Sequence, residues 1–108
     1  MKPLSFVGSS LDDLRDFPLE VRRECGRELN RVQNGLMPTD WKPMLQIGAG
    51  VYELRVHILG EWRVIYIARH KDTVYVLHAF HKKTQQTRQS DINLARKRYQ
   101  ILEINHDK

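Results

Sequence analysis

Five basic side chains in the second half of the chain have the types and spacing to handle a phosphate: Arg55, Arg63, His81, Lys82 and Lys83. A guanidinium is planar and donates two parallel hydrogen bonds, which suits a phosphate or a carboxylate. An unperturbed histidine titrates near neutral pH, so His81 is the first candidate to take or give a proton. A lysine becomes a base when neighbouring cations depress its pKa, a field that Lys82, Lys83 and Arg63 would supply together.

These residues must be placed by a sheet. Between Gly50 and Thr84 lie three runs rich in Val, Ile, Tyr and Trp, separated by Leu59-Gly60-Glu61 and by Arg69-His70-Lys71-Asp72-Thr73. Such runs with short polar breaks predict a β-meander with strands of about eight residues. Alternation turns Tyr52, Leu54, Val56 and Ile58 one way and Glu53, Arg55 and His57 the other. Closing the first hairpin through Leu59-Gly60-Glu61 sets His57 opposite Arg63. Closing the second through His70-Lys71-Asp72 sets Arg63 opposite the small Ala79. One face then carries Arg55, His57, Arg63, His81 and Lys83, with room beside Arg63.

The flanks read as helical support. Pro3 to Val7 is a short β-like run ended by Gly8, expected to add a strand to the same sheet. Ser9 and Ser10 are placed to cap a helix to about Asp16, with Asp12 and Asp13 in its first turn. Pro18 and Gly35 bracket a second helix. Its stripe Val21, Cys25, Leu29 and Val32 points inward, while Glu24, Arg27, Glu28 and Arg31 are expected on solvated faces. Residues 36–49 read as a loop in which Trp41 and Met44 cover the core edge. Residues 85–89 read as a polar connection, and Ser90 as the cap of a last helix with Ile92, Ala95, Tyr99 and Leu102 at helical spacing. Arg96, Lys97 and Arg98 then occupy its other faces, and the tail from Asn105 is expected to fray. The fold class is α+β: a twisted, mainly antiparallel sheet of an N-terminal strand and a meander, packed on two N-terminal helices, with a C-terminal helix.

The chain's 108 residues suit one domain, 1–108, with 41% hydrophobic and 29% charged residues. No apolar run reaches membrane-span length, the N-terminus lacks a signal-peptide apolar region, and a lone cysteine fits a reducing cytoplasm. The net charge of +5 resides wholly in residues 51–108, since residues 1–50 hold seven basic and seven acidic side chains. A basic half on a neutral scaffold suits a polyanion or an acidic protein partner. Five histidines raise the question of zinc, but His78 and His81 are three apart on a strand and so face opposite ways. Tyr66, His78, Tyr99 and Trp62 read as packing residues rather than chemistry.

The segments Gly50-Val51-Tyr52-Glu53-Leu54-Arg55, Trp62-Arg63-Val64-Ile65-Tyr66 and Leu77-His78-Ala79-Phe80-His81-Lys82-Lys83-Thr84 together resemble the phage-derived, HigB-like branch of the RelE/ParE toxin superfamily. So do Phe17 to Arg22 and the trailing Thr87…Asp91-Ile92…Ala95-Arg96, and the resemblance spans roughly residues 3–103. It implies the toxin of a type II toxin–antitoxin pair that enters the ribosomal A site and cuts mRNA without a metal or other cofactor, the RNA's own 2′-hydroxyl attacking the adjacent phosphate. It also implies a neutralising antitoxin, often of helix-turn-helix type, and operator DNA bound only through the toxin–antitoxin complex. Motif matching makes Arg63 the first candidate for transition-state charge stabilisation and Arg55 the second. It places Lys82 and Lys83 where the superfamily carries basic catalytic residues. His57, Arg88, Arg96, Lys97 and Arg98 are the expected RNA contacts. The alternative from another class is a ParE-like toxin that inhibits DNA gyrase by binding; the same fold serves both.

Overall fold

The central run Trp62–Ile67 is buried at all six positions, a pattern that requires cover on both faces of its strand. The computed structural model, which describes residues 1–68 and 72–106, supplies that cover with helices on either side of one sheet. In chain order the elements are β1 (Leu4–Phe6), α1 (Ser10–Arg15), α2 (Leu19–Gln33), β2 (Trp41–Pro43), β3 (Val51–Val56), β4 (Trp62–Ile67), β5 (Val74–His81) and α3 (Gln89–His106). The strand order is β1-β5-β4-β3-β2, antiparallel throughout except that β1 runs parallel to β5.

The α+β architecture is as expected, with one strand more. Residues 41–43 were expected in a loop; they form the short edge strand β2, and Pro43 is tolerated there because an edge needs no donor on its outer side. Helix α2 ends as its sequence predicts. Gly35 sits at φ 83°, its N–H bonds Val32 O, and the Leu36 N–H bonds Arg31 O, the paired bonds of a Schellman motif. The side chains of the two serines at the start of α1 do other work than capping. Ser10 Oγ donates to Val76 O at 3.0 Å, and Ser9 Oγ accepts from Arg98 Nη2 at 2.7 Å.

Two apolar layers result. Val21, Cys25, Leu29 and Val32 of α2 pack with Leu54, Val56, Val64, Tyr66, Val74 and Val76 on one face. On the other, Ala95 and Leu102 of α3, with Ile92 and Tyr99 beside them, pack with Val51, Ile65, Ile67, Leu77 and Phe80, joined by Met44 and Ile47. Burial pushes the Cys25 thiol up to about 12 and also raises Tyr66. The second helix is less solvated than its charges suggested. Glu28 is buried and its carboxylate accepts from the Thr39 N–H and hydroxyl, at 2.8 and 2.7 Å, fastening the α2–β2 connection.

The strand registers differ from expectation in two ways. Across β3–β4 the pairs are Arg55↔Arg63 and Val56↔Trp62. His57 therefore lies beyond the strand, in a five-residue connection whose tip holds Leu59 and Gly60 at φ 56° and 128°. The shift is two residues, so Arg55 and Arg63 still share a face. Across β4–β5 a bulge falls between the pairs Ile65↔His78 and Tyr66↔Val76. It sets Phe80, not Ala79, opposite Arg63, and sends His81 to the other face beside Trp62. The second turn was expected at His70-Lys71-Asp72, of which residues 70 and 71 lie outside the described residues. The expected fraying from Asn105 is not where α3 ends, since the helix continues to His106; residues 107–108 are outside the description.

Candidate functional site

On the α3 face of the sheet, a polar cleft of about 390 Å³ opens between the edge strand and the segment after β5. Lys42, Gln46, Arg55, Lys82, Gln85, Gln86, Thr87, Gln89 and Ile92 line it, with Glu53 among them. Three cations from three segments converge here: Lys42 from β2, Arg55 from β3 and Lys82 from the end of β5. The β-pleat explains two of them. Lys42 pairs with Glu53 across β2–β3, and Arg55 stands two residues along from Glu53 on the same face. Lys82 is held by its backbone N–H on Glu61 O at 2.7 Å and by Nζ on Gln85 O at 2.6 Å.

Beneath the cleft runs a chain of alternating charge. Arg55 Nε donates to Glu53 Oε1 at 3.1 Å. The same oxygen lies 3.5 Å from Arg63 Nε, an ion-pair distance that leaves Nε without a hydrogen bond. Arg63 is 4% exposed, and its other nitrogens donate to Trp62 O and to Glu61 Oε1, both at 3.0 Å. Glu61 in turn accepts from His57 Nδ1 at 2.8 Å, and His57 Nε2 bonds Asp40 Oδ2 at 2.6 Å. Hydrogen bonding to Asp40 first and to Glu61 second raises the His57 pKa, while the bond from His57 holds Glu61 below the usual carboxylate range. A guanidinium as buried as that of Arg63 survives only because it is paired in this way.

The other expected site residues disperse. His81 lies on the opposite face, its ring stacked on Trp62 at 4.0 Å, and Lys83 is exposed past the strand end. Arg88 is exposed just before α3, where its carbonyl accepts the N–H groups of Asp91 and Ile92. Arg96 donates twice to Gln46 O, at 3.1 and 2.6 Å, tying α3 to the rim of the cleft. Lys97 is exposed. Arg98 was expected on an outward face; it is buried, with Nη1 on Leu77 O at 2.8 Å and Nη2 on Ser9 Oγ. The reason is the shallow seat beside Gly8, where the guanidinium approaches so closely that a Cβ would lie 2.8 Å from Arg98 Nε.

Sequence reasoning passed over Asp40, Glu53 and Glu61, the acids that set the arginines' geometry, and the glutamines around the cleft. A signal existed for Glu53, since the period of two puts it on the face of Arg55. Asp40, Gln46, Gln85 and Gln86 sit in connections and Gln89 opens α3, places where periodicity says nothing.

Trp62 and Tyr66 are core residues, and His78 is buried between Asp91, 2.8 Å from Nε2, and Asp13, 3.8 Å from Nδ1. Among the described residues no helix is long and apolar enough to cross a membrane. No curated protein matches the chain in sequence. The family model described as phage-derived protein Gp49-like matches residues 12–100, from α1 through most of α3. The chain therefore belongs to the phage-derived Gp49-like family, a family of RelE-like toxin relatives.

Proposed function

We propose that the protein is the toxin of a toxin–antitoxin pair and that it acts as a metal-independent endoribonuclease on mRNA in the ribosomal A site. Family membership is consistent with a toxin in general. The observation that carries the finer reading is the cleft. It gathers Lys42, Arg55 and Lys82 around a space of about 390 Å³ whose one acid among the described residues, Glu53, is already tied to Arg55.

Attack of a 2′-hydroxyl on the adjacent phosphate forms the 2′-O–P bond and breaks the P–O5′ bond, giving a 2′,3′-cyclic phosphate and a 5′-hydroxyl. Solvent takes the 2′-hydroxyl proton and returns one to the leaving 5′-oxygen. The step needs alignment of the backbone and cations at the charge developing on the phosphate oxygens. In this reading Arg55 and Lys82 hold that phosphate. Arg63 acts from behind, keeping Glu53 and so Arg55 in place. Gln46, Gln85, Gln86 and Gln89 carry amides that donate and accept, suited to unstacked base edges. Lys83, Arg88 and Lys97 are exposed cations that add salt-sensitive attraction for ribosomal RNA. The partners of this reading are the ribosome with its mRNA and a cognate antitoxin of helix-turn-helix type, with operator DNA reached only through the toxin–antitoxin complex.

A second reading, a non-nuclease toxin that inhibits gyrase by binding, is favoured by one observation: His81 and Arg63 do not open into the cleft beside Arg55 and Lys82. A map of mRNA 5′ ends by primer extension after brief induction separates the two. New ends in frame with codons, lost in Arg55→Ala, support the nuclease. Intact messages alongside arrested growth support the inhibitor.

A further inference from the structure

His57 joins three segments that are separate in sequence: Asp40 before β2, its own position after β3, and Glu61 before β4. Both ring nitrogens face carboxylates, at 2.6 and 2.8 Å. A neutral imidazole has one N–H and one lone pair, so it can satisfy only one of the two; an imidazolium donates to both. We propose that His57 is a positioning residue whose imidazolium clasps Asp40 to Glu61 and thereby fixes the guanidinium of Arg63 and, through Glu53, that of Arg55 at the cleft.

The surroundings agree. Glu24 and Glu28 of α2, Asp40 and Arg55 line the groove that His57 borders, and Glu61 faces it from the hairpin. These groups are mostly anions, so the charged ring is favoured there. Besides His57, the Glu61 carboxylate meets only Arg63 Nη2 among the described residues, while its carbonyl takes the Lys82 N–H. Its side chain is 44% exposed, and its connection includes two residues at positive φ. Loss of the His57 proton releases one carboxylate. If Glu61 is freed, Arg63 keeps Trp62 O as its one fixed hydrogen-bond acceptor among the described residues, since its Nε has none. Disorder then passes along Glu53 to Arg55.

The clasp stands on geometry alone; its effect on RNA cleavage rests on the proposed function. The test is nuclear magnetic resonance of the labelled full chain between about pH 5.5 and 8.5, the range in which histidine titrates, following the His57 ring and the Arg63 Nε–H. The expected result is an Arg63 shift with the same midpoint as His57, lost in His57→Gln while circular dichroism shows an unchanged fold. An Arg63 resonance indifferent to pH, or one titrating alike in His57→Gln, overturns the clasp. In a cell-free translation extract, native cleavage should fall with rising pH by at least about threefold relative to His57→Gln, as misalignment of a catalytic group does. Equal pH profiles for cleavage in the two proteins overturn the positioning role. Arg63 tracking His57 with no cleavage by either protein supports the clasp and sets aside the nuclease reading alone.

Discussion

Arg55 and Arg63 stand directly opposite one another across β3 and β4, and a single oxygen of Glu53 lies 3.1 Å from the Nε of one and 3.5 Å from the Nε of the other. Like charges directly opposed on one face destabilise a sheet. The pair is held by the buried carboxylate between them and by Glu61 beyond. Glu53→Gln removes that charge and leaves two guanidiniums facing each other. Unfolding in urea should show a loss of about 3 kcal/mol, the low end for breaking a buried pair, because Arg55 is 30% exposed. A loss under about 1 kcal/mol, the worth of a surface pair, would mean that solvent already screens the arginines.

Arg55→Ala should act on binding more than on folding. Its guanidinium reaches the cleft, and Glu53 keeps Arg63 as a partner when it is gone. For a single-stranded RNA oligonucleotide, the slope of log affinity against log salt should fall by about one. An equal loss of affinity at every salt concentration would remove Arg55 from the phosphate.

The His57 clasp also makes stability depend on pH. A folded pKa above the unfolded value of about 6.5 gives stability that is complete below that value and is lost as pH rises through the folded pKa. Glu61 is the reverse case: its contribution is present above about pH 4.3 and is lost as pH falls through its depressed pKa. Thermal midpoints of the native chain should therefore exceed those of His57→Gln most between these limits, and the two should converge at alkaline pH. A gap that stays constant up to alkaline pH would show that the ring acts by shape and not by charge.

Arg98 and Lys97 are neighbours on α3 with opposite roles. Arg98→Ala leaves Leu77 O without its donor and should cost about 2–3 kcal/mol, the desolvation penalty of a buried acceptor; hydrogen exchange along α3 should quicken. Lys97→Glu touches nothing buried and should change stability by no more than about 0.5 kcal/mol, while weakening ribosome binding at low salt more than at high salt.

Cys25 is fully buried with its thiol pushed up to about 12. An aromatic disulfide reagent should label it no faster than the chain unfolds, since the thiolate is the reactive form. Rapid labelling under native conditions would mean that α2 opens away from the sheet.

Much of this architecture was legible in the sequence because it repeats. The stripe Val21, Cys25, Leu29 and Val32, the alternation in β3 and the spacing of Ile92, Ala95, Tyr99 and Leu102 all follow from helix and strand periods, and all pack as expected. What failed was counting. The bulge beside Leu77 leaves no trace in composition, and a bulge-free continuation of Tyr66↔Val76 is the register that would have set Arg63 opposite Ala79 and His81 on the arginine face. The burial of Arg63 and Arg98 was hidden for another reason. A sequence shows that an arginine is charged but not that Glu53, Glu61 or a carbonyl waits for it inside.

The chain's first strand lies beside one of its last. Leu4 is paired with Val74 and Phe6 with Val76, contacts that close a loop of some seventy residues, whereas Arg55 and Arg63 meet across a hairpin. Closing the long loop costs more entropy and comes later than closing the short one. During synthesis the arginine pair can assemble while β5 is still unmade, but the sheet is sealed only after residue 81 has emerged. Substitutions in β1 should then quicken unfolding without slowing folding, and those in the β3–β4 hairpin should slow folding itself.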